Sequence, residues 1–168
     1  MLCVIAKLNG EATEKLMAIR KAALSDAVLT PLYGHITIAT YTGDNEAQFI
    51  RFCKSLLAGM PSFTVRYEKL AVLEATSIIV ASPEKSGPLE ALHLGIAEKY
   101  NRFLQPWTQI GQWYPHTTLL YGPGLDLHRI CREMSASFVP FSAQISGIEF
   151  SRVLESGYAI VDSVVLRP

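Results

Sequence analysis

The stretch YGHITIATY, residues Tyr33–Tyr41, combines an apolar strand pattern with two polar side chains placed two positions apart. Side chains alternate between the two faces of a β-strand, so His35 and Thr37 project from one face, about 6–7 Å apart. Ile36 and Ile38 project from the other face. The pattern therefore predicts a strand with one core face and one face that carries a polar site.

A second stretch, YPHTTLLYG at residues 114–122, repeats this arrangement. Both stretches read Tyr-x-His-x-Thr-apolar, and His116 and Thr118 again share one face of a predicted strand. Chance places a Thr two positions after two of the four histidines with a probability of about 0.02. The repeat therefore calls for a common explanation of both motifs.

The elements around the two motifs follow the same order. Apolar periodicity predicts strand, helix, strand, helix, strand twice, and then one further strand. We expect an α+β fold, with two antiparallel β-sheet lobes and flanking helices around a central cleft. The whole chain, 1–168, would be one bilobal domain, with a first repeat of about 1–74 and a second of about 75–168. The predicted strands are 2–8, 35–41, 63–67, 77–82, 116–121, 141–150 and 158–166; the predicted helices are 11–24, one after Asn45, one from Gly87 and one capped by Asp126.

Composition narrows the class of protein. The 15 Lys and Arg balance the 15 Asp and Glu, so there is no overall positive field to hold a long nucleic-acid backbone. Cys3, Cys53 and Cys131 have no CxxC spacing, which favours a reducing cytoplasm. No stretch approaches the roughly 20 apolar residues of a membrane span. We expect a cytoplasmic monomer with no membrane contact.

If an approximate two-fold axis relates the halves, two imidazoles and two hydroxyls converge on one cleft. One imidazole can take a proton from an attacking hydroxyl or water while the other protonates the departing oxygen. The hydroxyls can donate hydrogen bonds to the non-bridging oxygens of a phosphodiester. An imidazole pKa of about 6.5 suits both roles near neutral pH.

On these motifs and on the order of its elements, the sequence resembles the two-histidine (2H) phosphoesterase superfamily, which includes the 2'-5' RNA ligase-like proteins and the cyclic phosphodiesterases. The resemblance implies metal-independent chemistry without a cofactor on 2',3'-cyclic phosphates or 2'-5' linkages of nucleotides or RNA ends. Carried over by position, it implies that His35 and His116 are the acid–base pair. Thr37 and Thr118 would hold the phosphate.

Two other functions remain open. No Lys or Arg follows either motif, in residues 39–41 or 120–122, which favours a non-catalytic nucleotide- or RNA-binding module with the same cleft. A metal-dependent hydrolase with His35 and His116 as ligands is the third hypothesis. It is disfavoured because neither motif has an acidic residue at a useful spacing to supply the third ligand.

Aromatic residues near the motifs are candidates for substrate binding. Tyr41 lies six positions after His35 and shares its face if the strand is regular, whereas Tyr121 faces away from His116 unless a bulge intervenes. Trp113 and Tyr114 lead directly into the second motif and could stack on a base. Packing is the competing interpretation for all of them.

Four other polar residues are expected to have no role in the site. His93 and His128 lie on predicted helices without a Thr two positions later, so we expect surface or partly packed roles. Lys7 and Arg66 are isolated basic residues, for which a solvated charge is the expectation.

Overall fold

The structure, a computed structural model, describes residues 1–25, 32–73, 76–84, 86–154 and 157–168. Each predicted strand and helix is present in these ranges, with ends shifted by a few residues. The strands are β1 (Leu2–Leu8), β2 (His35–Tyr41), β3 (Phe63–Val72), β4 (Ile78–Pro83), β5 (Thr117–Tyr121), β6 (Phe141–Leu154) and β7 (Gly157–Val165). The helices are α1 (Gly10–Lys21), α2 (Glu46–Leu57), α3 (Gly87–Tyr100) and α4 (Leu127–Ala136), with short 3-10 turns at Asn101–Phe103 and Pro106–Thr108.

Side-chain caps start two of the helices. The Asn45 side chain accepts a hydrogen bond from the backbone N–H of Gln48 at 3.0 Å, at the start of α2. The predicted cap of α4 is confirmed, since Asp126 accepts from the N–H of Arg129 at 3.0 Å. Both caps satisfy N–H groups that the first turn of a helix leaves without a partner.

All strands belong to one antiparallel sheet with the order β2-β1-β6-β3-β4-β5, and β7 pairs with β6. The third strand of each strand–helix–strand–helix–strand pass pairs with the first strand of the other pass, β6 with β1 and β3 with β4. The α+β class with antiparallel strands is therefore confirmed. The division into two lobes stays a prediction, and its boundary at 74 and 75 falls outside the described residues.

β2 has the two faces that its sequence predicts. Ile36 and Ile38 are fully buried in the hydrophobic cluster that joins helices and sheet, whereas His35 and Thr37 are half-buried. Complete burial of one isoleucine side chain contributes about 1.5–3 kcal/mol. This burial fixes the side of the strand that points inward, and so fixes the direction of the imidazole and the hydroxyl.

Within the described ranges, no helix combines the length and the apolar character needed to cross a membrane.

Candidate active site

Each histidine of the repeated motif bonds to the carbonyl group of the tyrosine two residues earlier. His35 Nδ1 lies 2.8 Å from the Tyr33 oxygen, and His116 Nδ1 lies 2.7 Å from the Tyr114 oxygen. A carbonyl oxygen only accepts hydrogen bonds, so each Nδ1 carries the hydrogen. The neutral ring then has a bare Nε2, and the charged ring has an Nε2–H. Each histidine can therefore act as base or acid through the same atom.

Burial lowers the pKa of both histidines below the usual value, because the charged ring loses its hydration. The hydrogen bonds to the carbonyls of Tyr33 and Tyr114 partly offset this lowering. For His35, the charge on His116 lowers the pKa further, and the Glu149 carboxylate raises it.

A direct hydrogen bond joins the two histidine strands, although β2 and β5 stand at opposite ends of the strand order. Thr117, the residue after His116, donates from Oγ1 to the backbone oxygen of His35 at 2.8 Å. The sheet therefore curves until its ends meet. This curvature brings the backbone of His35 next to the residue that follows His116.

Thr37 and Thr118 are both half-buried, each two residues after its histidine. Neither hydroxyl has a hydrogen bond to another described residue, so both remain available as donors. Such hydroxyls beside paired imidazoles can bind the oxygens of a phosphate.

A β-bulge interrupts both histidine strands at the same point of the motif. Against β1 the register moves from Val4 opposite Ala39 to Ile5 opposite Thr37, which leaves Ile38 as the extra residue. Against β4, residues 79 and 80 pair with 120 and 118, which leaves Leu119 as the extra residue. A bulge exchanges the faces of all later residues in a strand.

This exchange corrects the expectation for Tyr41. Its side chain lies in the core, 4% exposed and stacked on Phe49 at 4.2 Å, because the bulge turns it away from the face of His35. Tyr121 is turned the opposite way, is 70% exposed, and lines the same cavity as His116. The sequence alone could not locate the bulges. Tyr121, rather than Tyr41, is therefore the tyrosine that shares a cavity with a motif histidine.

Trp113 and Tyr114 both lie at the site. Trp113 donates from Nε1 to the Thr37 backbone oxygen at 2.9 Å, so it also holds β2 in place. The Tyr114 hydroxyl donates to Ser82 Oγ at 2.6 Å, and its ring is 40% exposed. Trp113 is thus partly structural, whereas Tyr114 keeps an accessible ring.

Two further groups, His93 and Glu149, contribute to the site, and the burial of His93 corrects the surface or partly packed role expected for it. His93 is buried, stacks on Trp113 at 4.1 Å, and places Nδ1 2.9 Å from the Ile38 oxygen at the bulge. Glu149 accepts a hydrogen bond from Tyr33 and pairs with Lys7 Nζ at 3.3 Å. These contacts cross between distant parts of the chain, so no local pattern indicates them. His128 is exposed, as expected.

A cavity of about 690 Å³ opens beside the second motif. Thr37 and His116 line it together with Trp113, Tyr114 and Tyr121, whereas His35 and Thr118 lie outside its lining. The described lining residues include no Lys, Arg, Asp or Glu side chain. The cavity suits a flat, uncharged group.

Across the part of the chain that the structure describes, no group of three or more His, Cys, Asp or Glu side chains could hold a metal ion.

A family model for the 2'-5' RNA ligase superfamily matches residues 10–156. The chain belongs to this superfamily, which comprises the two-histidine phosphoesterases, and the resemblance seen in the motifs is confirmed. A comparison with curated proteins finds no match.

Solved structures with low sequence identity share the whole fold. One described as a phosphoesterase has a TM-score of 0.68 at 18% identity, over 99% of this chain and 98% of that one. E. coli LigT in complex with 3'-AMP has a TM-score of 0.66 at 17% identity, over 99% of this chain and 97% of LigT. The protein TT0787 of Thermus thermophilus has a TM-score of 0.68 at 16% identity, also over 99% and 97%. These likenesses confirm the fold.

Proposed function

We propose that the protein opens 2',3'-cyclic phosphates, or reversibly cleaves and forms 2'-5' phosphodiester bonds, on nucleotides or RNA ends. The observation that carries this proposal is the pair of imidazoles, each with Nδ1 bonded to a carbonyl and Nε2 left for proton transfer, on two segments that the hydrogen bond from Thr117 to His35 joins. A place in RNA processing follows from this chemistry. The cytoplasmic location and the monomeric state stay predictions.

In the hydrolytic direction, a neutral histidine takes a proton at Nε2 from water while the water oxygen attacks phosphorus. The bond from phosphorus to one ribose oxygen breaks, and the other histidine gives its Nε2 proton to that oxygen. Thr37 and Thr118 donate to the non-bridging oxygens as charge builds up on them. In the reverse direction, which forms the bond, the two histidines exchange roles.

The lowered pKa values of His35 and His116 keep both rings largely neutral near pH 7 in the free protein. A bound phosphate anion between them favours the charged form of a nearby imidazole and raises its pKa. The substrate therefore helps to create the acid that its own cleavage requires.

Aromatic side chains give the cavity its preference for a nucleoside. Tyr114 and Tyr121 line the cavity with exposed rings, and Trp113 forms part of the wall. Stacking of one base on such a ring contributes about 1–3 kcal/mol. The complexes of E. coli LigT with 3'-AMP and with ATP support a nucleotide as the ligand here.

The test is turnover of 2',3'-cyclic AMP, ADP-ribose cyclic phosphate and 2'-5' oligonucleotides by the purified protein. We expect a linear nucleotide product from at least one substrate, undiminished by a metal chelator, and its loss in His116→Ala. His128→Ala, which changes an exposed histidine on α4, is the matched control. A His35→Ala, His116→Ala double variant that turned over substrate as fast as the unmodified protein would refute the proposal.

The alternative is a non-catalytic nucleotide- or RNA-binding module. It is favoured by the lack of Lys and Arg side chains among the described residues that line the cavity, because a backbone of several phosphates has nothing cationic to contact there. Binding of 2',3'-cyclic AMP without any product over a long incubation would establish this alternative.

A further inference from the structure

The residue between His116 and Thr118 differs in kind from its counterpart in the first motif. Thr117 is 1% exposed, whereas the counterpart, Ile36, is a fully buried hydrocarbon side chain. A buried hydroxyl needs partners, and Thr117 has two of them. Its Oγ1 lies 2.8 Å from the His35 backbone oxygen and 2.6 Å from the Tyr67 hydroxyl.

The direction of these two hydrogen bonds is fixed by chemistry. The His35 carbonyl can only accept, so the hydroxyl hydrogen of Thr117 points to it. Tyr67 must then donate its own hydrogen to Thr117 Oγ1. Burial raises the pKa of Tyr67, so the phenol stays protonated and keeps this role across the working pH range.

The chain of hydrogen bonds replaces a missing strand partner. Among the described residues, β2 is the last strand of the sheet on its side, and its outer edge has no strand partner beyond an isolated bridge between Tyr41 and Leu104. The carbonyls of residues 35 and 37, which point to the same side of a strand, accept from Thr117 and Trp113. Side chains from the second motif and the loop before it therefore occupy the edge of the first histidine strand.

We propose that Thr117 and Tyr67 are positioning residues that set the separation and mutual orientation of the two imidazoles. Thr117 is adjacent in sequence to His116 and bonds to the backbone of His35, so it ties together the two backbone segments from which the imidazoles project. Tyr67, from β3 near the middle of the sheet, fixes the rotamer of Thr117. The kinetic part of this inference rests on the proposed function.

Three variants separate the two residues. Thr117→Val keeps the shape but loses the donor to His35 and the acceptor for Tyr67. Thr117→Ser keeps the hydroxyl and loses only a methyl group. Tyr67→Phe removes the hydrogen bond from Tyr67 to Thr117 and leaves the bond from Thr117 to His35. Its effect on kcat should therefore be smaller than that of Thr117→Val.

With 2',3'-cyclic AMP as substrate, we expect Thr117→Val to lower kcat about 100-fold with little change in KM, since small misplacements of reacting groups have effects of this size. Thr117→Ser should recover kcat to within about fivefold of the unmodified protein, and Tyr67→Phe should fall between the two. Thermal unfolding of each variant is recorded in parallel. A folded Thr117→Val protein with unchanged kcat would overturn the proposal.

A second measurement does not depend on turnover. NMR titration of the histidine ring protons gives the pKa of His35 with and without His116→Ala, in the unmodified chain and in Thr117→Val. We expect the removal of His116 to raise this pKa more in the unmodified chain than in the variant, where the rings are no longer held together. An equal rise in both would overturn the proposal, even if no substrate were turned over and the proposed function had failed.

Discussion

His35, the first residue of β2, and His116, which directly precedes β5, are held in the same way. In both, Nδ1 bonds to the carbonyl of the tyrosine two residues earlier, and a bulge follows at the apolar residue that ends the motif. The surroundings differ, because one of these tyrosine hydroxyls donates to Glu149 and the other to Ser82. The two imidazoles thus have the same hydrogen-bond geometry but different surroundings. This suits a reaction in which one ring is neutral while the other is charged.

The intervening residues of the two motifs differ for reasons of packing. Gly34 follows the first tyrosine because a Cβ there would lie 2.3 Å from Thr13 Oγ1, whereas Pro115 occupies this position in the second motif. Ile36 packs in the core, and its counterpart Thr117 bonds across the cleft. The two motifs thus share the Nδ1–carbonyl bond that holds the imidazole and differ in the residues on either side of the histidine.

The largest expected effect comes from removing either imidazole. His35→Ala and His116→Ala should each lower kcat on 2',3'-cyclic AMP by about 10²–10⁴-fold, and the double variant should be little slower than either. Steady-state kinetics on the three proteins measures this, with His128→Ala as control. If one single variant kept full activity, the two motifs would not share one reaction.

Removing a phosphate-binding hydroxyl should have the next largest effect. Thr37→Val and Thr118→Val should each lower kcat/KM by about 100-fold, the size found for one lost donor to a developing negative charge. Thr64→Val, at an exposed position on β3, is the matched control. A large loss from only one of the two would show that a single motif holds the phosphate.

The tyrosines at the ends of the two strands should separate stability from binding. Tyr121→Ala should raise KM about tenfold through the loss of stacking and leave unfolding unchanged. Tyr41→Ala should instead lower the free energy of unfolding by about 3–5 kcal/mol, as for other buried aromatic residues. Urea unfolding and steady-state kinetics on both variants measure the contrast. A KM effect from Tyr41→Ala together with a loss of stability from Tyr121→Ala would contradict the faces that the bulges give to these two tyrosines.

The smallest expected effect is on stability in acid. The pKa values of His35, His93 and His116 are lowered by burial, so the unfolded chain binds more protons than the folded one once the pH falls below about 6.5. The free energy of unfolding should therefore decrease as the pH falls from about 6.5. Urea unfolding between pH 7.5 and 5 measures the slope, which should be shallower in His35→Asn. A slope of the opposite sign would contradict the burial of these rings.

Much of the fold follows from local sequence. Alternating apolar residues predict β2, and helical spacing with the Asp126 cap predicts α4, because both patterns depend on neighbours within a few residues. The pairing of His35 with His116 in one site is likewise a prediction from the sequence, since the motif is repeated with its tyrosine and threonine. What the sequence could predict of the site is therefore the part that is encoded twice.

The remaining features depend on contacts between distant residues. The face of Tyr41 depends on a bulge that forms only when β2 pairs with β1, and the role of Thr117 depends on the meeting of β2 and β5. His93 reaches the bulge from α3, 55 positions along the chain from Ile38. A single sequence contains no local signal for such contacts.

The central claim is that His35 and His116 act in the same reaction, one as the general base and the other as the general acid. The pH dependence of kcat/KM on 2',3'-cyclic AMP tests it most directly, in the unmodified protein and in His35→Ala and His116→Ala. We expect a bell-shaped profile, with one limb for a histidine that must be neutral and one for a histidine that must be charged. Each variant should lose one limb along with most of its rate. A profile with a single limb in the unmodified protein, or one unchanged in either variant, would contradict the claim.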